Sequence, residues 1–131
     1  MNILNYFISL VVLVALDSTW LFSMGAKYKA WLKPLFAEDF KLLPVVCFYL
    51  VYAFGLVFFI ISPALKQGQS FLYVLMAGAL LGFIAYAAYD LTNQATLRDW
   101  PLIVTIVDMA WGAILTGLSS VIIISIINYF K

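Results

Sequence analysis

Four apolar runs, separated by breaks that hold most of the charge, constrain this chain more than any other feature. Residues 3–24, 42–62, 71–96 and 101–129 each match or exceed the length needed to cross a hydrocarbon core, which takes about 20 helical residues. Only three charged residues, Asp17, Asp90 and Asp108, fall inside these runs. Lipid offers no hydrogen bonds to a backbone, so runs of this kind fold as helices. The expected fold is an all-α integral membrane protein, with four transmembrane helices in an up-down bundle forming a single domain over residues 1–131. A 66% hydrophobic and 10% charged composition, with a mean hydropathy of +1.10, lies outside the range of soluble domains.

The breaks carry local signals. In residues 27–41, Tyr28, Trp31, Leu32, Leu35 and Phe36 share one helical face, while Lys27, Lys29, Lys33 and Glu38 mostly avoid it. This reads as an amphipathic interfacial segment between helices one and two, interrupted or started by Pro34. Ser62-Pro63 is expected to close the second span, followed by the polar turn Lys66 to Gln69. Asp99 is placed to cap the fourth helix, with Pro101 in its first turn. Trp31 and Trp100 read as membrane-belt anchors. Gly78 and Gly82 form a small-xxx-small pair that permits close helix approach. A cleaved signal peptide is not expected, because no basic residue precedes the first run and Asp17 interrupts it. Lys27, Lys29, Lys33, Lys41 and Arg98 fall on the two odd loops, against Lys66 and Lys131 on the other side. That bias predicts termini outside and odd loops in the cytoplasm.

Composition also narrows the chemistry. A net charge of +1 offers no basic face for nucleic acid. With no histidine and one cysteine, Cys47, the chain lacks the ligands of histidine-bound iron, haem or zinc sites. Three aspartates with Asn93 follow no metal-motif spacing, so neither a metal nor another cofactor is expected.

Chain order brings the intramembrane acids together. In an up-down bundle the end of helix one, the start of helix two, the end of helix three and the start of helix four lie on one side. Asp17, Asp90 and Asp108 each stand about two turns from that side, and Tyr49 of helix two has a similar depth. A carboxylate near a helix centre costs roughly 2.5–3.5 kcal/mol on insertion scales, and no basic residue lies within a span. Function is therefore favoured over interhelical glue, which serine or asparagine supplies more cheaply. Without a counter-ion a protonated acid is favoured at such a site, which makes proton binding part of the expectation. Asp17 and Trp20 lie three apart, as do Asp108 and Trp111, and Tyr86, Tyr89, Asp90 and Asn93 follow the i, i+3, i+4 rule. Each acid then has an aromatic beside it. Such a box suits an organic cation or the head of an amphiphile.

The segments Leu16-Asp17-Ser18-Thr19-Trp20-Leu21, Tyr89-Asp90-Leu91-Thr92-Asn93-Gln94-Ala95-Thr96-Leu97 and Asp108-Met109-Ala110-Trp111-Gly112 resemble those of a family of small bacterial inner-membrane proteins, domain of unknown function family 2177. The likeness covers essentially the whole chain. It implies a four-helix, multi-pass protein of the bacterial inner membrane, surrounded by membrane lipids. It implies no catalytic residue, substrate or cofactor.

The leading expectation is a protein that binds or transports a small cationic or amphiphilic ligand among its four helices. Asp17, Asp90 and Asp108 would hold the ligand or protons, Trp20, Tyr89, Asn93 and Trp111 would line the pocket with Tyr49 and Thr92, and residues 27–41 would form a lid. Transport through so small a bundle favours a homodimer. The resemblance in size to small multidrug exporters is one of architecture alone. The alternatives are an enzyme or accessory factor acting on a membrane lipid or isoprenoid, with one acid as general acid or base, and a scaffold subunit that docks through its Gly78/Gly82 face. No nucleophile–base pair or phosphate loop supports an enzyme.

Overall fold

The computed structural model describes residues 1–131 as four long helices without strands. They are α1 (Ile3–Trp31), α2 (Leu42–Gln67), α3 (Phe71–Thr96) and α4 (Leu102–Tyr129), each long and apolar enough to cross a membrane. Local sequence explains most ends. Asn2 caps α1 by accepting from the Leu4 N–H at 2.9 Å, and Ser70 caps α3 by accepting from Tyr73 at 3.2 Å. Gly68 ends α2 in the left-handed conformation (φ 61°), and the following Gln69 N–H bonds back to the Ala64 carbonyl at 3.0 Å.

The first two helices run further than their apolar stretches. α1 continues without a break to Trp31, so residues 27–31 are its last turns and not part of a separate interfacial segment. Its 29 residues reach about 43 Å at 1.5 Å per residue, beyond a hydrocarbon core of about 30 Å. The overhang therefore exposes Lys27 and Lys29 while Tyr28 turns inward. Only residues 32–41 leave the helix. In α2, Pro63 does not end the helix. The turn ahead of it widens into a π segment, Val57–Ile61, in which the Ser62 N–H reaches the Val57 carbonyl, and this accommodates a residue that cannot donate.

α4 is the centre of the bundle. Half of its most apolar stretch (50%) is buried, against 17%, 22% and 17% in α1, α2 and α3, whose remaining apolar surface faces outward. Helix α3 packs along α4, and α1 packs on α4 less extensively. The α3–α4 contact is close because both helices present small residues. A side chain on Gly78 would meet Ser120 and the Thr116 carbonyl, and one on Gly82 would meet the Gly112 carbonyl and the Thr116 hydroxyl. The Gly78/Gly82 pair is thus consumed inside the chain. Helix α2 joins α1 through the Tyr6 hydroxyl, which donates to the Leu50 carbonyl at 3.0 Å, and meets α3 and α4 through its π segment.

The turn between α3 and α4 differs from the expected cap. Pro101 is the N-cap, no side chain caps α4, and Asp99 adopts φ 63° instead. Trp100 is buried rather than belt-like, with 9% of its surface exposed. Its indole N–H donates to Thr105 Oγ1 at 3.0 Å. The Thr105 hydroxyl donates in turn to Gln94 Oε1 at 2.8 Å, and the Gln94 amide returns to the Trp100 carbonyl at 3.0 Å. This ring ties the turn to the end of α3 and the start of α4 without capping α4, whose Val104 N–H bonds to the Pro101 carbonyl at 3.1 Å. Asp99→Val should cost about 1–3 kcal/mol, because a β-branched residue is strained at positive φ, while Asp99→Gly should stay within about 1 kcal/mol of the parent. Thermal unfolding in detergent checks both, and equal melting of the Val and Gly variants would count against strain at this position.

Candidate functional site

The helix ends on the side of the Trp100 turn enclose a cavity of about 520 Å³, lined by 16 residues of which 13 are hydrophobic. Helical spacing builds its walls. On α1, Asp17, Trp20 and Tyr28 recur at intervals that keep one face, since 11 residues are close to three full turns. On α4, Val104, Asp108 and Trp111 do the same, and Phe48 and Tyr52 of α2 with Tyr86 and Tyr89 of α3 supply the sides. No lysine or arginine lines the cavity. Arg98 is exposed on the turn and takes no part in the hydrogen bonds around the acids.

The two Asp-x-x-Trp elements meet across this space and exchange partners. The indoles of Trp20 and Trp111 stack, with centroids 4.4 Å apart and planes 4° from parallel. The Trp111 N–H donates to Asp17 Oδ1 at 2.8 Å, and the Tyr49 hydroxyl donates to Asp17 Oδ2 at 2.6 Å. In the other direction the Trp20 N–H reaches the Tyr28 hydroxyl at 3.4 Å, and that hydroxyl donates to Asp108 Oδ1 at 3.0 Å. Each acid is therefore bonded by groups of another helix, and not by the tryptophan three residues along its own. Side chains at i and i+3 project side by side, so their polar ends aim across the gap.

The remaining polar residues are arranged in layers. Asp90 is fully buried behind the wall, and neither of its carboxyl oxygens has a hydrogen-bond partner. It does not line the cavity. Tyr49 supports Asp17 from outside. Tyr52 and Thr116 share a hydrogen bond of 2.7 Å, while Tyr86 lies edge-on to Tyr52 at 6.4 Å. Tyr89 stands edge-on to Trp100 at 5.8 Å. Asn93 adjoins Tyr89 without reaching the cavity. Thr92 is exposed, and its hydroxyl serves the Ala88 and Tyr89 carbonyls of its own helix at 2.5 and 3.0 Å.

Tyr28 and Trp100 are the residues that sequence reasoning placed elsewhere. The signal for Tyr28 was present in its register with Asp17 and Trp20. Leu32 and Phe36, from the segment after α1, also reach the cavity wall. Carboxylates, phenols and indoles make up the donor set, and no group of three or more metal-ligating side chains gathers in it. The cavity thus sets two carboxyls among aromatic faces with no basic side chain beside them.

Comparison with known proteins adds the family and nothing finer. No curated protein and no solved structure matches the chain. A family model described as a predicted membrane protein (DUF2177) matches residues 2–125. With that match spanning nearly the whole chain and four membrane-length helices beneath it, the protein belongs to the DUF2177 family of predicted membrane proteins.

Proposed function

We propose that the protein binds or transports a small lipophilic cation, held in the aromatic cavity with Asp17 and Asp108 as its counter-charges. The carrying observation is the pairing of two carboxyls with stacked indoles in a cavity that no basic residue enters. Aromatic faces attract a cation most strongly where water is excluded, by about 2 kcal/mol or more per contact, and they pack on its apolar body at the same time. The cavity size suits a small organic molecule, since ligand pockets run from about 300 to 1,000 Å³. Leu21, Phe36, Phe48 and Tyr89 line the cavity and are also exposed at the protein surface, so an amphiphile can enter from the bilayer.

Tetraphenylphosphonium and tetraphenylborate share size and shape and differ in the sign of their charge. In protein-loaded lipid nanodiscs the phosphonium should quench tryptophan emission saturably, through Trp20 and Trp111, and the borate should not. Equal binding of the two ions, or binding of neither, would overturn this reading.

A further inference from the structure

Binding of a cation accounts for Asp17 and Asp108, yet leaves Asp90 without a role. Asp90 is fully buried on α3, and no N–H or O–H donor reaches either of its oxygens. Asp17, by contrast, has a donor on each oxygen, and Asp108 accepts from Tyr28. Along the α3–α4 seam Gly78 meets Ser120, Gly82 meets Thr116 and Tyr86 meets Gly112, and the next turn of the same antiparallel register sets Asp90 opposite Asp108. Ionised carboxylates are acceptors only, so this facing pair becomes hydrogen-bonded only when one of the two carries a proton. Two adjacent ionised carboxylates with no cation would repel in a low-dielectric bundle. The surrounding titratable groups are phenols and one more acid. Tyr28 of α1 donates to Asp108, Tyr89 of α3 lines the cavity with it, Tyr86 rests against Gly112 one turn away, Asp17 accepts from Tyr49 of α2, and Tyr52 of α2 lies edge-on to Tyr86. None of these supplies a positive charge.

We propose that Asp90 and Asp108 form a proton-binding site that shares a single proton, and that a cation entering the cavity displaces this proton. In the exchange the O–H bond of the carboxylic acid breaks and the proton leaves to water. The pair passes from one negative charge to two, and the arriving cation supplies the compensating positive charge, so the site's total charge is unchanged. Asp108 belongs to both sites and couples them, while Asp90 acts only through it. The shared proton stands on the geometry of the pair alone, and the exchange rests also on the cation reading.

Infrared difference spectroscopy on the protein in nanodiscs, without added ligand, tests the shared proton directly. Near neutral pH the parent and Asp17→Asn should show a carboxylic-acid C=O band that shifts in D₂O, and Asp90→Asn and Asp108→Asn should lack it. A band retained in both of those variants, or none in the parent, overturns the pair. For the exchange, tetraphenylphosphonium added to weakly buffered parent protein should release up to one proton per cation bound, and its affinity should fall as pH falls. In Asp90→Asn the affinity should no longer follow pH. Cation binding without proton release, or an unaltered pH slope in Asp90→Asn, overturns the exchange. A parent protein that shows the band but binds no tetraphenylphosphonium overturns the exchange and the cation reading together, and supports the shared proton.

Discussion

Asp17→Ala should weaken tetraphenylphosphonium binding by about 30-fold or more and destabilise the bundle as well. Truncating one partner of a buried charge pair costs about 2–5 kcal/mol, and each 1.4 kcal/mol is about a factor of ten. The stability loss has a separate origin. Asp17 is 6% exposed and accepts from the Tyr49 hydroxyl and the Trp111 indole. Alanine leaves both donors unpaired, at about 1–3 kcal/mol each. Asp17→Asn separates the two effects, since its amide oxygen still accepts from one donor while the charge is gone. The asparagine variant should therefore lose affinity as the alanine variant does and keep more of the stability. Titration of nanodisc samples, paired with thermal unfolding, reads both quantities. An asparagine variant that binds the cation as tightly as the parent would show that charge at Asp17 does not hold the ligand.

The second large effect falls on architecture. Gly82→Val should separate α3 from α4, because the added atoms would occupy the positions of the Gly112 carbonyl and the Thr116 hydroxyl. A carbonyl of a central helix cannot turn aside as the tip of a side chain can. Overpacking of this kind costs about 1–3 kcal/mol, occasionally more, and a valine against backbone belongs at the upper end. Gly25→Ala is the control, with nothing within 4 Å of the added atom, and it should leave stability unchanged or raise it by up to about 1 kcal/mol, since alanine suits a helix interior better than glycine. Unfolding in mixed micelles followed by circular dichroism gives the comparison. Coincident transitions for the two variants would mean that the small-residue seam between α3 and α4 does not limit their approach. Separation at Gly82 should also disturb the cavity, since the Tyr86 ring rests where a side chain on Gly112 would stand.

The acid level was legible because depth in a bundle depends on chain order and on a fixed rise per residue. Asp17, Asp90 and Asp108 could be assigned to one side by counting from helix ends, and the structure puts Asp17 and Asp108 on one cavity, with Asp90 level with Asp108 in the α3–α4 register. Azimuth was harder to read. Tyr28 sits among lysines in sequence and looked interfacial, yet α1 overshoots the bilayer core and turns that residue back over the cavity. Trp100 next to an aspartate and a proline looked like a belt anchor, yet Thr105 and Gln94 draw it inside. Neither outcome is encoded in a local window, because each depends on a partner presented by another turn or another helix.

By itself the sequence determined four membrane-length helices, their order and the common depth of three acids, since hydropathy and helical rise are properties of the chain taken piece by piece. The tertiary structure decided that α4 is the centre, that Trp111 serves Asp17 while Trp20 reaches Asp108 through Tyr28, and that Asp90 is left with only a carboxyl for company. Those outcomes follow from how each helix is rotated about its axis. For α3 against α4 that rotation is set where backbones meet, at Gly78 and Gly82 against Gly112 and Thr116; for α1 it shows in the bonds that join Asp17 and Tyr28 to α4.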